Sequence, residues 1–379
     1  MKFSSRSNLP PAIPFEASVF VVKHDLTCTD TTGWPGFEEL ERSAIEALVQ
    51  EESLRYVPES RGSMNARVSL SKFQPPRDAD RWVLTASTSE AYSILFQLLC
   101  DPGSKVATPT PGYPLIDELG RFHDVGTAKI PLRLTDNSWA LDLGWTERRL
   151  REGVKALILI QPANPTGWVL SLDERDQILA LCSRYDVPLI SDEVFEAWAP
   201  EGFQSLADQD EVLCFTLGGL SKLLGLPHLK LGWIRVSGPS TRVLEALARL
   251  DLLNDALLSA GTPVQAALTN LLGRKTDFQG KIQARLTQNR KQWNASGNQF
   301  PPYVQRLEAS GGWFGIVLWS APWSEEAVCG ELLQRGVKVQ PGYLFDLPRA
   351  GLVVSLLTES STLLHGLSVL VDLFISLEH

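Results

Sequence analysis

No CxxC pair occurs in the 379-residue chain. The five cysteines, Cys28, Cys100, Cys182, Cys214 and Cys329, are scattered and odd in number. That pattern reads as free thiols in a reducing compartment, not as a disulfide frame. No uninterrupted apolar run approaches the ~18 residues of a membrane span. Met1 to Pro14 lacks the apolar stretch of a signal peptide. Together these absences make a cytoplasmic location, without a membrane partner, the expectation. Basic charge is also short: 35 Lys and Arg stand against 44 Asp and Glu, for a net charge of −9. A nucleic-acid partner would want a basic face, so none is expected. There is no internal repeat and no low-complexity tract.

What is present suits a large globular protein. Hydrophobic residues make up 44% and charged residues 21%, which supports a sizeable core and argues against disorder. Residues 1–36 are rich in Pro, Ser and Thr and read as an extended arm, with Arg6 to Pro14 free to lie across another subunit or the chain's own surface. Helical spacing follows from Gly36 to Glu52, with Leu40, Ala44, Ile45, Leu48 and Val49 on one face. From Trp82 onward, short apolar strands alternate with helices. Strands are expected at 82–85, 105–108, 156–161, 188–191, 212–216 and 232–236, and helices at 88–99, 115–122 and 171–185. Alternation of this kind indicates an α/β fold with a mostly parallel central sheet flanked by helices. Helix continues from Thr241 to about Asn294, broken near 261–263 and at Gly273. A smaller α+β unit closes the chain. The expected division is an arm over 1–36, a large cofactor-binding domain over 37–275 and a small domain over 276–379, with the N-terminal segment packing on the last.

Four stretches stand out against this background: Pro111-Gly112-Tyr113-Pro114, Asn164-Pro165-Thr166-Gly167, Ser191-Asp192-Glu193-Val194-Phe195, and the lysine Lys222 within Gly218-Gly219-Leu220-Ser221-Lys222-Leu223-Leu224. Lys222 has few local carboxylates to pair with. Desolvation in such a setting lowers an amine's pKa and makes it a usable nucleophile. Asn164, Asp192 and Lys222 each fall near an expected strand end, where open α/β sheets bind their ligands.

In this order, with 28 positions from Asn164 to Asp192 and 30 from Asp192 to Lys222, the motifs resemble pyridoxal-phosphate enzymes of fold type I, the class I/II aminotransferases. The resemblance runs from about Tyr56 to the C-terminus. It implies pyridoxal 5′-phosphate as cofactor, held by Lys222 as a Schiff base. Asp192 would face the pyridine nitrogen, Tyr113 would stack on the ring, and Asn164 would donate to the ring oxygen. Ser87, Thr88, Ser89, Ser221 and Lys230 would meet the phosphate. Tyr56 would reach the phosphate of a neighbouring subunit, which implies a homodimer. The implied reaction moves an amino group between an amino donor and an oxo acid, with Lys222 as the group that moves the proton.

The chain departs from the family pattern in several places. Ser87 stands where the family usually has glycine, Gly219 where many relatives have serine, and Lys230 where arginine is usual. A lysine keeps the charge of an arginine but loses its bidentate geometry. Phe195 replaces a tyrosine that hydrogen-bonds the ring oxygen. The arginine that usually grips the substrate carboxylate is replaced by Val353, with Arg349 and Lys23 as substitute cations. Elimination, decarboxylation or synthase chemistry on the same scaffold is the alternative. A transcription regulator carrying such a domain would need a basic module ahead of it, and only about 36 residues precede the first expected helix.

Overall fold

The computed structural model describes residues 21–34, 37–49, 51–136, 138–307 and 310–377. Most of the expected arm, including Arg6 to Pro14, lies outside the described residues. The described chain enters through a short strand, β1 (His24–Asp25), helix α1 (Glu38–Leu48), a 3-10 turn (Glu51–Leu54) and helix α2 (Met64–Phe73). Strand and helix then alternate: β2 (Trp82–Thr85), α3 (Thr88–Leu99), β3 (Lys105–Thr110), α4 (Leu115–Phe122), the pair β4 (Gly126–Thr135) and β5 (Ser138–Leu141), and α5 (Leu143–Arg151). Next come β6 (Leu157–Ile160), α6 (Leu172–Tyr185), β7 (Leu189–Asp192), β8 (Cys214–Gly219), the single turn α7 (Leu220–Leu223) and β9 (Gly232–Ser237). Helices α8 (Ser240–Asp255), α9 (Thr262–Gly273) and α10 (Lys275–Ser296) lead to β10 (Val304–Leu307), β11 (Phe314–Trp319), α11 (Glu325–Gln334), β12 (Val337–Lys338), β13 (Gln340–Pro341), β14 (Gly351–Ser355) and α12 (Ser360–Ser376).

The large sheet has the order β2-β9-β8-β7-β6-β3-β4-β5. Strands β8, β7, β6, β3 and β4 are parallel to one another; β9 runs against both β8 and β2, and β5 runs against β4. The carboxyl ends of β2, β3, β6, β7 and β8 therefore share one edge, and β9 starts from that same edge. The apolar run Leu157-Ile158-Leu159-Ile160 explains why β6 sits in the middle: Leu157 and Leu159 join the core on one face, Ile158 and Ile160 the core on the other. A strand buried on both faces has no place for an alternating polar residue. Helix α6 starts where Ser171 and Glu174 form a reciprocal capping box, which satisfies two backbone donors at once.

Two segments differ from the sequence expectation. The β4–β5 pair and α5 carry no simple strand or helix signal, because Pro131 interrupts β4 and three arginines crowd the last turn of α5. Proline is tolerated where it interrupts least: Pro131 ends the β3–β4 register, one residue before β5 begins to pair. The stretch 337–340 is expected as one strand but serves two sheets. Val337 and Lys338 pair with His24 and Asp25, whereas Gln340 and Pro341 pair with β14 in the four-stranded sheet β10-β11-β14-β13. The division depends on a partner strand more than 300 positions away, which local sequence does not announce.

Candidate active site

A cavity of about 670 Å³ opens at the shared strand edge. Ser87, Thr88, Ser89, Tyr113, Asn164, Asp192, Phe195, Ser221, Lys222 and Lys230 all line it. Tyr56, expected at the phosphate, is elsewhere: it is 78% exposed and lines a separate groove with Pro58, Asn254 and Ser259. Arg349 and Lys23, the substitute cations, do not line the cavity. The Arg349 guanidinium donates instead to Ser320 and Gln305, and the Lys23 stem covers Gly336. Val353 is fully buried in the small sheet.

Each side chain is aimed by its strand and the turn that follows. Asp192 is the last residue of β7. Tyr92 donates its hydroxyl to Asp192 Oδ2 at 2.9 Å, and the Val194 N–H donates to Oδ1 at 3.2 Å. Burial outweighs these bonds and pushes the carboxyl up to about 6. The motifs do not single out Tyr92. The available signal was a tyrosine on the buried face of a helix otherwise rich in Ala, Ile and Leu, since a buried phenol needs a partner for its hydroxyl. Behind Asp192 the backbone is pinned by Glu193. That carboxylate is fully enclosed and accepts from Ser191 Oγ (2.9 Å), Leu206 N (2.9 Å) and the Arg235 guanidinium (3.1 Å).

Lys222 lies in α7, directly after β8. No carboxylate lies within ion-pair reach of it among the described residues; its Nζ sits 5.0 Å from the centre of the Trp313 ring and 5.9 Å from that of Phe195. Burial lowers the pKa of its ammonium, opposed by the more distant Asp30. Trp198 holds the backbone here by donating its indole N–H to the Lys222 carbonyl at 2.9 Å. Thr31 donates to the Gly225 carbonyl, so the segment 21–34 is laced onto the lysine loop and brings Thr27 and Thr29 to the cavity wall. Phe195 packs edge-on against Trp313, with ring centres 5.3 Å apart.

The other walls are built in the same way. Asn164 follows β6 in a turn that closes at Gly167. This glycine has φ +69°, and an added Cβ would lie 2.7 Å from the Gly311 carbonyl, so a side chain would be strained there twice over. Ser87 caps α3 by accepting from the Glu90 N–H at 3.2 Å. Across from it, a Cβ on Gly232 would stand 2.9 Å from Ser87 C and 3.1 Å from Thr88 N, so glycine lets the start of α3 close onto β9. Lys230 stands two positions before Gly232, at the same edge. The cavity thus joins an anion-seeking helix start, a buried carboxylate without a cation and a desolvated amine.

A family model described as aminotransferase class I and II matches residues 37–362. The chain belongs to the class I and II aminotransferase family. It is 29% identical to an alanine aminotransferase of Mycobacterium tuberculosis over 250 residues, which covers 63% of this chain and 57% of that protein. It is 28% identical to the tyrosine aminotransferase of Homo sapiens over 251 residues, covering 63% and 54% respectively. The matched stretch thus spans little more than half the length of these relatives. Among solved structures, the tyrosine aminotransferase from Leishmania infantum superposes with a TM-score of 0.86 at 19% identity, over 99% of this chain and 98% of that one. That likeness is one of fold, the type I fold of pyridoxal-phosphate-dependent transferases. No helix among the described residues is long and apolar enough to cross a membrane.

Pyridoxal 5′-phosphate is the cofactor of this family, and the cavity of this family member fits it on three observations. Asn164 Oδ1 is buried without a hydrogen-bond partner, which leaves its amide uncommitted inside the cavity. Asp192 is enclosed without a cation, as a site for a cationic pyridine nitrogen would be. Ser87, Thr88 and Ser89 at the start of α3 line the cavity opposite Gly232, where an anion is favoured by the helix start.

Asp192 should leave a signature in the cofactor-free protein. Its folded pKa, about 6, lies above the usual 3.8, so the folded state holds the proton more tightly than the unfolded chain. The cost of charging it is absent below about pH 4, grows between 4 and 6, and is complete above 6. The cofactor-free Asp192→Asn protein should therefore be more stable than the parent at pH 7.5, by on the order of 3 kcal/mol. Urea denaturation across pH measures the gap, which should close near pH 4. A gap constant across this range would show that Asp192 does not titrate there.

Proposed function

We propose that this chain is a pyridoxal-phosphate-dependent aminotransferase that moves an amino group between an amino donor and an oxo acid. The observation that carries this reading is the pairing, in one cavity, of an uncompensated desolvated amine at Lys222 with an uncompensated buried carboxylate at Asp192. An amine with a lowered pKa is available as a nucleophile and as a base. A carboxylate starved of a cation is matched to a ring nitrogen that must stay protonated. When bound, pyridoxal phosphate supplies an electron sink for the charge that develops on the substrate carbon.

In this reading Lys222 holds the cofactor covalently. Lys222 Nζ would then take the proton from the amino-bearing carbon of a bound substrate and give it back, as base and then as acid. Asp192 keeps the ring nitrogen charged, and Tyr92 orients Asp192. Tyr113 covers one ring face. Asn164 donates to the ring oxygen, beside the non-donating Phe195. The start of α3 at Ser87, Thr88 and Ser89, with Ser221 and Lys230, meets the phosphate. The ring walls of Trp313 and Phe195 keep water from the Lys222 amine. We also propose division into an arm over 1–36, a cofactor-binding domain over 37–275 and a small domain over 276–379. A cytoplasmic location belongs to the same reading.

Two copies would complete the site. Tyr56 is exposed and remote from its own chain's cavity, beside Val57, itself 58% exposed. In this reading both meet a partner subunit, and Tyr56 would reach the partner's phosphate. Light scattering of the cofactor-loaded protein should give twice the chain mass, and Tyr56→Phe should weaken cofactor retention about tenfold, as loss of one charge-assisted hydrogen bond would. A monomer with full cofactor occupancy would rule this out.

Borohydride reduction of the loaded enzyme, followed by peptide mapping, should place the pyridoxyl group on Lys222, and Lys222→Ala should carry none. An adduct on Lys230 would overturn the assignment. Release of ammonia or carbon dioxide, in place of amine transfer to an oxo acid, would reassign the reaction to elimination or decarboxylation.

Phe195 gives a spectroscopic test. A hydroxyl placed there would donate to the ring oxygen and stabilise its anionic form, which lowers the proton affinity of the group. The visible band of the Phe195→Tyr holoenzyme should therefore titrate at lower pH than that of the parent. An unchanged or higher midpoint would mean that position 195 does not face the ring oxygen.

A further inference from the structure

The wall contributed by the small sheet is apolar except at one point. Phe314 from the sheet and Leu344 and Phe345 from the turn after β13 line the cavity, with one polar side chain, Gln340. The register explains the placement. Gln340 stands opposite Val353, Val353 opposite Ile316, and Phe314 opposite Ser355. Directly paired residues point to the same face of an antiparallel sheet, as do residues two apart along a strand. Phe314 and Gln340 reach the cavity from this face, while Val353, between Gln340 and Ile316, is fully buried. The Gln340 amide makes no hydrogen bond with any described residue and is only half-buried.

The cations of the cavity are committed elsewhere. Among the described residues they are Lys222, Lys230 and Arg121. Lys222 is the cofactor-holding amine of the proposed mechanism, and Lys230 stands at the phosphate end with Gly232 and Ser87. Arg121 lies in the last turn of α4, is exposed, and also borders an outer groove with Asp117 and Asp124. An anionic group laid against the small-sheet wall would exchange water for one neutral amide. Carboxylates are held well by charge-assisted, bidentate donors and poorly by single neutral ones, because the desolvation of the charge is left uncompensated.

We propose that Gln340 determines substrate specificity, and that the amino donor carries an uncharged polar group, a carboxamide or a hydroxymethyl, on the carbon that bears the amine. Ordinary α-amino carboxylates are disfavoured, and α-oxo acids with them, so the oxo acid of the proposed reaction carries its carboxylate away from the oxo carbon. The amide of Gln340 both donates and accepts, so it can satisfy a carboxamide or a hydroxyl without a buried charge. This inference rests on the reading of the cavity given above, and it names the substrate class of that same site.

The test pairs two ligands that differ only in charge. Holoenzyme is titrated with 2-methylalanine and with 2-methylalaninamide, which carry no hydrogen on the amino-bearing carbon, and equilibrium binding is read from the visible band. The half-reactions with L-alanine and L-alaninamide are followed in parallel. The amide should bind at least about tenfold more tightly than the acid and react faster, since an unmatched buried polar group discriminates at least this strongly. Gln340→Leu should remove the advantage of the amide, and Val353→Arg should invert it. Equal or tighter binding of the acid to the parent protein, or an unchanged ratio in Gln340→Leu, would overturn the proposal. The Lys222 adduct separates the two failures: if it forms and the acid still binds better, the cofactor reading stands and the substrate class does not.

Discussion

Desolvation of Asp192 is the constraint on which the rest of the site depends. The carboxylate closes β7 with a tyrosine hydroxyl and one backbone N–H for company, and with no cation among the described residues. A charge enclosed in this way costs several kcal/mol unless something compensates it, and the protein offsets part of that cost by letting the carboxyl hold its proton up to about pH 6. A cationic ring seated against it would remove the penalty, which ties cofactor affinity to the same burial that weakens the empty protein. Lys222 shows the reverse sign of the same physics, because burial without an anion favours the neutral amine that the proposed chemistry needs.

Holding two such groups out of water requires a stiff frame. The Glu193–Arg235 pair, both side chains almost without exposure, lies directly behind Asp192 and ties β7 to β9. Its neighbours Ser191, Ser205 and Leu206 donate to Glu193 as well, so the buried carboxylate is satisfied on several sides, and the removal of one partner would strand the other. On the lysine side, Trp198, Thr31 and Trp313 do the equivalent work with one indole donor, one hydroxyl and one ring face. The glycines at 167 and 232 matter because backbone from a second element passes where their side chains would be.

The far wall is assembled from pieces distant in the chain. The segment 21–34 supplies Thr27 and Thr29, and β13 supplies Gln340. The chain between β12 and β13 changes sheets within a few residues, and that change turns Gln340 toward the cavity.

The sequence by itself determined the alternation of strand and helix, the buried centre at Leu157–Ile160, and the grouping of Asn164, Asp192 and Lys222 at strand ends. These follow from local periodicity and from motifs in which a strand runs directly into a turn. It also exposed the substitutions at Phe195 and Val353. Tertiary structure alone decided that Tyr92 meets Asp192, that the Lys222 amine faces two aromatic rings, that Arg349 and Lys23 point away, and that Gln340 stands beside Val353. Each of these contacts joins residues from different elements, with a register or a crossover between them. Local patterning sets which face of an element is buried; which neighbour that face meets is set by the packing of the whole chain.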